Sequence, residues 1–253
     1  MNNEETQEQD DKLQKCLDLA AEAISSFIFR QKTEQSGILP PKLIHDQIHK
    51  DVRKGLQVIF DKIKNGMHHL LHFLIELSKD DPQILSDQTK SDLCQMAAIA
   101  SVMSDHPQEY CYILENNKTL QGIFGLTDET LQNLYRAAKH IYEHQHYVEA
   151  ASSFAVLTLV NPNHHDFWEG LGNSEYFCNN FEAALMSYAM AIQVNPENPM
   201  YHLYSARCYE KISDVQNAVN ALDLCLMVIK QKPEYEKWQI KVIDYKSALR
   251  EKQ

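Results

Sequence analysis

Residues 165–198 read HDFWEGLGNSEYFCNNFEAALMSYAMAIQVNPEN, and this stretch decides the fold. Its landmarks recur on either side at a step of 34 residues. Asn195-Pro196 repeats Asn161-Pro162. Ala184 stands midway between Ala150 and Ala218, Tyr188 between Phe154 and Leu222, and Ala191 between Leu157 and Cys225. A fixed period of this length marks units that bury their apolar faces only by stacking on one another. Three units follow, about 131–164, 165–198 and 199–232. Within the middle unit Gly172 and Ala184 are small, so two antiparallel helices can approach closely there. Trp168, Leu171 and Tyr188 fill the space around that contact, and Pro196 stops the second helix.

Trp168, Leu171 and Gly172 stand at W-x-x-L-G spacing, Ala184 and Tyr188 at A-x-x-x-aromatic spacing, and Pro196 closes the unit. This is the tetratricopeptide pattern. The Tyr expected three places after Gly172 is replaced by Glu175, with Tyr176 beside it. The third unit is degenerate: His202, Ser205 and Ala206 stand for Trp, Leu and Gly, while Tyr209, Ala218 and Leu222 keep their places. The expected fold is an all-α solenoid of three tetratricopeptide-repeat hairpins plus flanking helices, preceded by an N-terminal helical region.

In such hairpins the first helix of each unit lines a concave surface, and positions 2, 5, 9 and 12 share a stripe. The stripe reads Gln132, Tyr135, Lys139 and Tyr142, then Asp166, Glu169, Asn173 and Tyr176, then Met200, Leu203, Arg207 and Glu210. Aromatic, aliphatic and polar groups in this mixture suit an extended peptide. Each of Tyr135, Tyr142 and Tyr176 is either a groove residue or a packing residue, since both kinds share helical spacing. Tetratricopeptide domains that clasp a C-terminal carboxylate begin with a Lys and Asn residues. Tyr135 and Glu169 break that pattern, so an acidic chaperone tail is not the expected ligand.

Further motifs narrow the resemblance. Leu126-Thr127, Thr130-Leu131 and Leu134-Tyr135 lead into the first unit. Phe167-Trp168 precedes Gly170-Leu171-Gly172, Phe181 precedes Ala184 and Tyr188, and Lys232-Pro233-Glu234-Tyr235 follows the last unit. Over about residues 111–250 the chain resembles the class II chaperones of bacterial type III secretion. That resemblance implies a non-enzymatic function in the bacterial cytoplasm: holding hydrophobic translocator proteins by a short P-x-L-x-x-P-like segment before export. It implies groove aromatics at Tyr135, Tyr142 and Phe167, and aliphatic groove or lining residues at Val156 and Val160. Family members often form homodimers through the segment before the first repeat, here about 108–124, so a homodimer is one oligomeric state the resemblance allows. A translocator carries apolar segments that aggregate when left free, and sequestering them needs complementary surface rather than chemistry. The competing reading is a general tetratricopeptide adaptor, or a regulator of the secretion apparatus.

The first hundred residues lie outside the resemblance. Residues 1–11 are polar and expected to be a disordered tail. Residues 12–106 form an N-terminal helical region of unknown role, and 107–253 the repeat domain. Leu13, Leu17, Ala20, Ile24, Phe27 and Ile28 predict an amphipathic helix. Apolar residues from Ile44 to Leu74 predict a second, either continuous or broken near Asn65-Gly66. A third is expected over about 89–104 with Leu93, Met96, Ala97 and Ala100 inward. These helices either form a small bundle or cap the first hairpin.

Composition narrows the function classes. Of 253 residues 7 are Gly, where average usage gives about 18. No phosphate-binding glycine loop, nucleophile elbow or other catalytic motif is present. A net charge of −11 argues against nucleic acid as a partner. The acidic first fifteen residues lack the form of a secretory signal, and no apolar run is long enough for membrane insertion. The 6 cysteines are scattered and read as small core residues. His45, His49, His68, His69 and His72 lack a complementary third ligand, so neither metal nor cofactor is expected.

Overall fold

The computed structural model describes residues 41–105 and 119–251. Its regular elements are helices, and no strand occurs among the described residues. The expected tail over 1–11, the helix over 12–28 and most of 108–124 lie outside them.

Helix α1 spans Pro41–Asp80 without a break. Proline suits a first helical position, where its missing N–H costs nothing. Ile63, Met67, Leu70, Leu74 and Leu77 recur every three or four residues and, with Phe73, pack into the main core. The helix does not break at Asn65-Gly66, because Gly66 serves a contact instead. A Cβ there would stand 2.1 Å from the carbonyl oxygen of Ser152.

A short 3-10 turn, Pro82–Leu85, leads into α2, Asp87–Asp105. On α2 Met96 is buried and Leu93 partly so, as expected, but Ala97 is exposed. The side chain of Ala100 lies outside the described set. Asp92 is the polar anchor of this helix. It accepts hydrogen bonds from the Thr127 amide at 2.9 Å and from the Thr127 and Thr130 hydroxyls, both at 2.6 Å. Burial alone would raise its pKa, yet these hydrogen bonds together hold the carboxyl down at about 2.

Helix α3, Leu120–Phe124, ends at Gly125 with φ of 65°, a conformation glycine adopts without a Cβ clash. The first hairpin pairs α4, Asp128–Glu143, with α5, Tyr147–Val160. Helix α4 starts three residues before the repeat boundary, because the Thr127 hydroxyl caps the Thr130 amide. The second hairpin pairs α6, His165–Phe177, with α7, Phe181–Val194. The third pairs α8, Met200–Lys211, with α9, Val215–Gln231. A 3-10 turn, Pro233–Trp238, leads to α10, Gln239–Arg250.

Each hairpin turns the same way. Gln145, Asn179 and Ser213 have φ of 63°, 62° and 63°. They are 34 residues apart, so the left-handed turn repeats with the sequence. Each donates its amide to the carbonyl three residues back, and the next residue donates five back, as His146 does to Ile141 at 3.2 Å. These bonds satisfy the last carbonyls of the helix.

Close approach between helices follows the small residues. A Cβ at Gly172 would meet Tyr188 Cε1 at 2.6 Å, and one at Gly170 would meet Phe154 Cε1 at 2.4 Å. The Tyr188 hydroxyl then donates to Asn173 Oδ1 at 2.8 Å. Ala150, Ala184 and Ala218 are each 0% exposed.

Of the two arrangements open for the second and third N-terminal helices, a cap on the first hairpin is the one observed. Leu70, Leu74, Ile84 and Met96 share one core with Leu131, Leu134, Ile141, Phe154 and Leu157. Burying Leu70 and Leu74 contributes about 1.5–3 kcal/mol each. The cap also explains Glu175, which departs from the repeat pattern. Its buried carboxylate takes an ion pair from Lys62 of α1 and a hydrogen bond from Asn180 Nδ2 at 2.7 Å. At the other end Val242 and Leu249 of α10 close the core of the third hairpin.

Not every cysteine is a core residue. Cys208 and Cys225 are buried, Cys178 is half-buried and Cys94 is exposed. Cys16 and Cys111 lie outside the described residues, as do the side chains of His45 and His49.

Candidate functional site

The first helices of the hairpins stand side by side, and α10 continues their row. Between α4 and α6 lies a hollow of about 270 Å³ lined by Tyr135, Lys139, Tyr142, Glu169 and Asn173. The next, about 220 Å³, is lined by Tyr142, Asn173, Tyr176, Tyr204 and Arg207. A third, about 430 Å³, is lined by Tyr176, Leu203, Arg207, Trp238 and Lys241. Tyr142 and Asn173 belong to the first two hollows, and Tyr176 and Arg207 to the last two. The three therefore form one continuous groove.

Position 9 of each unit marks the path. Lys139, Asn173, Arg207 and Lys241 are spaced by 34 residues, and each line a hollow. The same turn of each first helix thus faces the groove. Lys241 falls where a fourth unit would place it, although the sequence beyond 232 no longer looks like a repeat.

The groove wall is aromatic and partly desolvated. The Tyr135 ring packs 6.1 Å from Phe154 and 5.6 Å from Phe167. Burial, reinforced by Asp166 and Glu169, pushes the Tyr135 hydroxyl up to about 12. Burial does the same for Tyr142, also up to about 12. Tyr142 stands edge-on to Phe177 at 6.1 Å, and Phe177 stacks on Tyr147 at 4.6 Å. Burial, then the charge on Asp166, raises the Glu169 carboxyl. Both tyrosines are neutral donors at ordinary pH, so they offer ring faces and hydroxyls beside the ammonium of Lys139 and the carboxyl groups of Asp166 and Glu169.

The structure brings together Tyr135, Lys139, Tyr142, Glu169, Asn173, Tyr176, Leu203 and Arg207. Three other expected site residues lie elsewhere. Phe167 is 1% exposed and stacks on His164 at 4.2 Å, beneath Tyr135. It supports the groove without lining it. Val156 and Val160 are on α5, the second helix of its hairpin, on the side turned toward the cap. They line a separate apolar cavity of about 390 Å³ with Met67, Met96, Leu120 and Phe124. On the expected stripe Gln132 is exposed outside the hollows and Met200 is buried in the third hairpin's core.

Several groove residues escaped the sequence reading. Phe154 reaches the first hollow from a second helix, through the room left by Gly170. Tyr188 and Tyr204 line the middle hollow, and Trp238 and Tyr245 the last. The period relates Phe154 to Tyr188 and Tyr204 to Trp238, but none of these rings stands on the stripe of positions 2, 5, 9 and 12. Among the described residues no group of three His, Cys, Asp or Glu converges to hold a metal.

Stacked helix hairpins around a concave aromatic groove define a tetratricopeptide-type binding solenoid. No family model matches the chain. The chain is homologous to the low calcium response locus protein H of Yersinia pseudotuberculosis, 23% identical over 147 residues, 56% of this chain and 88% of that protein. The Yersinia pestis protein of the same name matches with the same identity and coverage. A T3SS complex from Aeromonas hydrophila shares the fold, with a TM-score of 0.54 and 19% identity, over 57% of this chain and 96% of that one. The Yersinia enterocolitica type III secretion chaperone SycD, solved with a peptide of the translocator YopD, is 24% identical with a TM-score of 0.48, over 50% of this chain and 97% of that one.

Proposed function

We propose that the chain is a cytosolic chaperone of bacterial type III secretion that holds an extended segment of a hydrophobic translocator in its groove. The observation that carries this reading is the unbroken run of hollows from Tyr135 to Tyr245, walled by rings and punctuated by polar groups at each repeat. Such a surface takes apolar side chains in turn and leaves hydroxyls and amides for the peptide backbone. Homology to the low calcium response locus protein H over 147 residues supports the same reading. The role is one of holding: the chain supplies surface, and no reaction step is assigned to it. Residues 107–253 contain the groove, and residues 41–105 cap its first hairpin. No helix among the described residues is long and apolar enough to cross a membrane.

Co-expression with each hydrophobic translocator of the same organism tests this. A complex is expected to co-purify and to be lost in Tyr142→Ala, whose ring is half-exposed, with helicity unchanged. A folded chain that retains no translocator would favour the general adaptor reading.

A further inference from the structure

The two ends of the groove differ in charge. The hollow between α8 and α10 is lined by Arg207, Lys211 and Lys241 against one carboxylate, Glu210. Glu210 accepts the Tyr245 hydroxyl at 2.6 Å. Among the described residues none of the three cations is in an ion pair. Arg207 instead lies 5.9 Å from the Tyr204 ring, and the Lys241 ammonium 5.0 Å from the Trp238 ring. Leu203 and Val242, 5% and 1% exposed, form the apolar floor. At the other end the hollow carries Asp166 and Glu169 against Lys139. Lys139 also faces Glu143 at 3.7 Å, and Asp166 faces His165 Nδ1 at 3.1 Å, so two carboxylates and a third nearby stand against one ammonium. A locally cationic hollow is unusual on a chain of net charge −11.

Cations gathered around a half-apolar hollow repel one another, and a guest carboxylate relieves that repulsion. We propose that the α8–α10 hollow is an acidic-residue subsite, taking an Asp or Glu side chain of the held segment, while the Asp166–Glu169 end takes a basic one. The segment therefore lies in the groove with one polarity. This rests on the peptide-groove reading above and adds what selects and orients the peptide. Adjacent packed helices are about 8–10 Å apart, so two steps of the row span about 16–20 Å, or about five to six extended residues. That is the spacing expected between the basic and the acidic residue.

The test is fluorescence anisotropy with the full chain and labelled, C-terminally amidated twelve-residue peptides. All share a Pro-x-Leu-x-x-Pro centre. One has Lys just before the centre and Glu at the fifth position of the centre, five residues on, one has the two exchanged, and one has Gln at both places. One charged order is expected to bind about tenfold tighter than the other, with the Gln peptide between them. The preference should collapse in 0.5 M salt and fall below about threefold in Lys211→Gln/Lys241→Gln. Equal affinity for both orders, with Gln-peptide binding still abolished by Tyr142→Ala, overturns the polarity and leaves the groove standing. A Gln peptide with a free terminal carboxylate that binds as tightly as the best amidated peptide overturns the side-chain assignment in favour of a chain terminus. If no peptide binds and no translocator co-purifies, the groove reading falls and the subsite with it.

Discussion

Gly66 of α1 lies directly against the Ser152 carbonyl of α5, with room for no side chain: a Cβ would sit 2.1 Å from that oxygen and 2.8 Å from Val156 Cγ2. The obstacle is backbone, so it cannot rotate aside. Gly66→Ala gains about 1 kcal/mol of helix propensity but must push α1 off the hairpin. A net loss of about 1–3 kcal/mol is expected in urea unfolding. An unchanged midpoint would show that the cap is not seated there.

Lys62 is the cation beside the buried Glu175 carboxylate. Lys62→Met leaves that charge with Asn180 alone, and a stability loss of about 1–3 kcal/mol is expected. Adding Glu175→Gln should recover part of the loss, because a neutral amide tolerates burial without an ammonium. Additive losses in the double mutant would deny the coupling.

Asp92 makes the cap sensitive to acid. Its pKa is held near 2, below the unfolded value of about 3.9. A depressed carboxyl contributes stability above its unfolded pKa, and that contribution fades as pH falls from about 4 toward about 2. Asp92→Asn is expected to cost about 1–2 kcal/mol at pH 7 and progressively less toward pH 2. Urea midpoints of both proteins at pH 7, 4 and 2.5 measure this.

Gln145 and Ser213 hold left-handed backbone without being glycine. Gln145→Gly and Ser213→Gly remove a strain of about 1–2 kcal/mol and lose about 0.5–1 kcal/mol to unfolded-state freedom. A small net gain of about 0.5–1 kcal/mol is expected at each. Asn179→Gly should change little, since Asn tolerates this region. Thermal melts of the single variants would rank them.

Burial pushes the Cys208 and Cys225 thiols up to about 12, whereas Cys94 is exposed. Iodoacetamide at pH 8 should label Cys94 quickly and spare the other two until the chain unfolds. Peptide mass spectrometry of a labelling time course reads the order directly.

The groove was legible where it follows the period. Lys139, Asn173 and Arg207 share one helical position, so identical folding of each unit brings them into line. Rings from other positions were not legible, because their direction depends on neighbours. Tyr204 sits one residue from the stripe at Leu203, yet it reaches the middle hollow. Val156 and Val160 show the reverse: their aliphatic character suits a groove, but α5 turns them toward the cap. Phe167 has the right chemistry and lies one layer too deep.

The repeat was readable because a solenoid imposes one demand on every unit. Ala150, Ala184 and Ala218, like Leu157, Ala191 and Cys225, are each 0% exposed, so each position is limited to what fits between two helices. That limit leaves a period in the sequence. Tertiary structure decided what has no periodic counterpart: the docking of Gly66 on Ser152, the burial of Glu175 beside Lys62, and the extension of the groove by Tyr245. Each joins a repeat unit to a segment outside the period. The residue types there, a glycine inside a helix, an acid at a tyrosine's position and a tyrosine on a terminal helix, acquire their meaning only from the surface they meet.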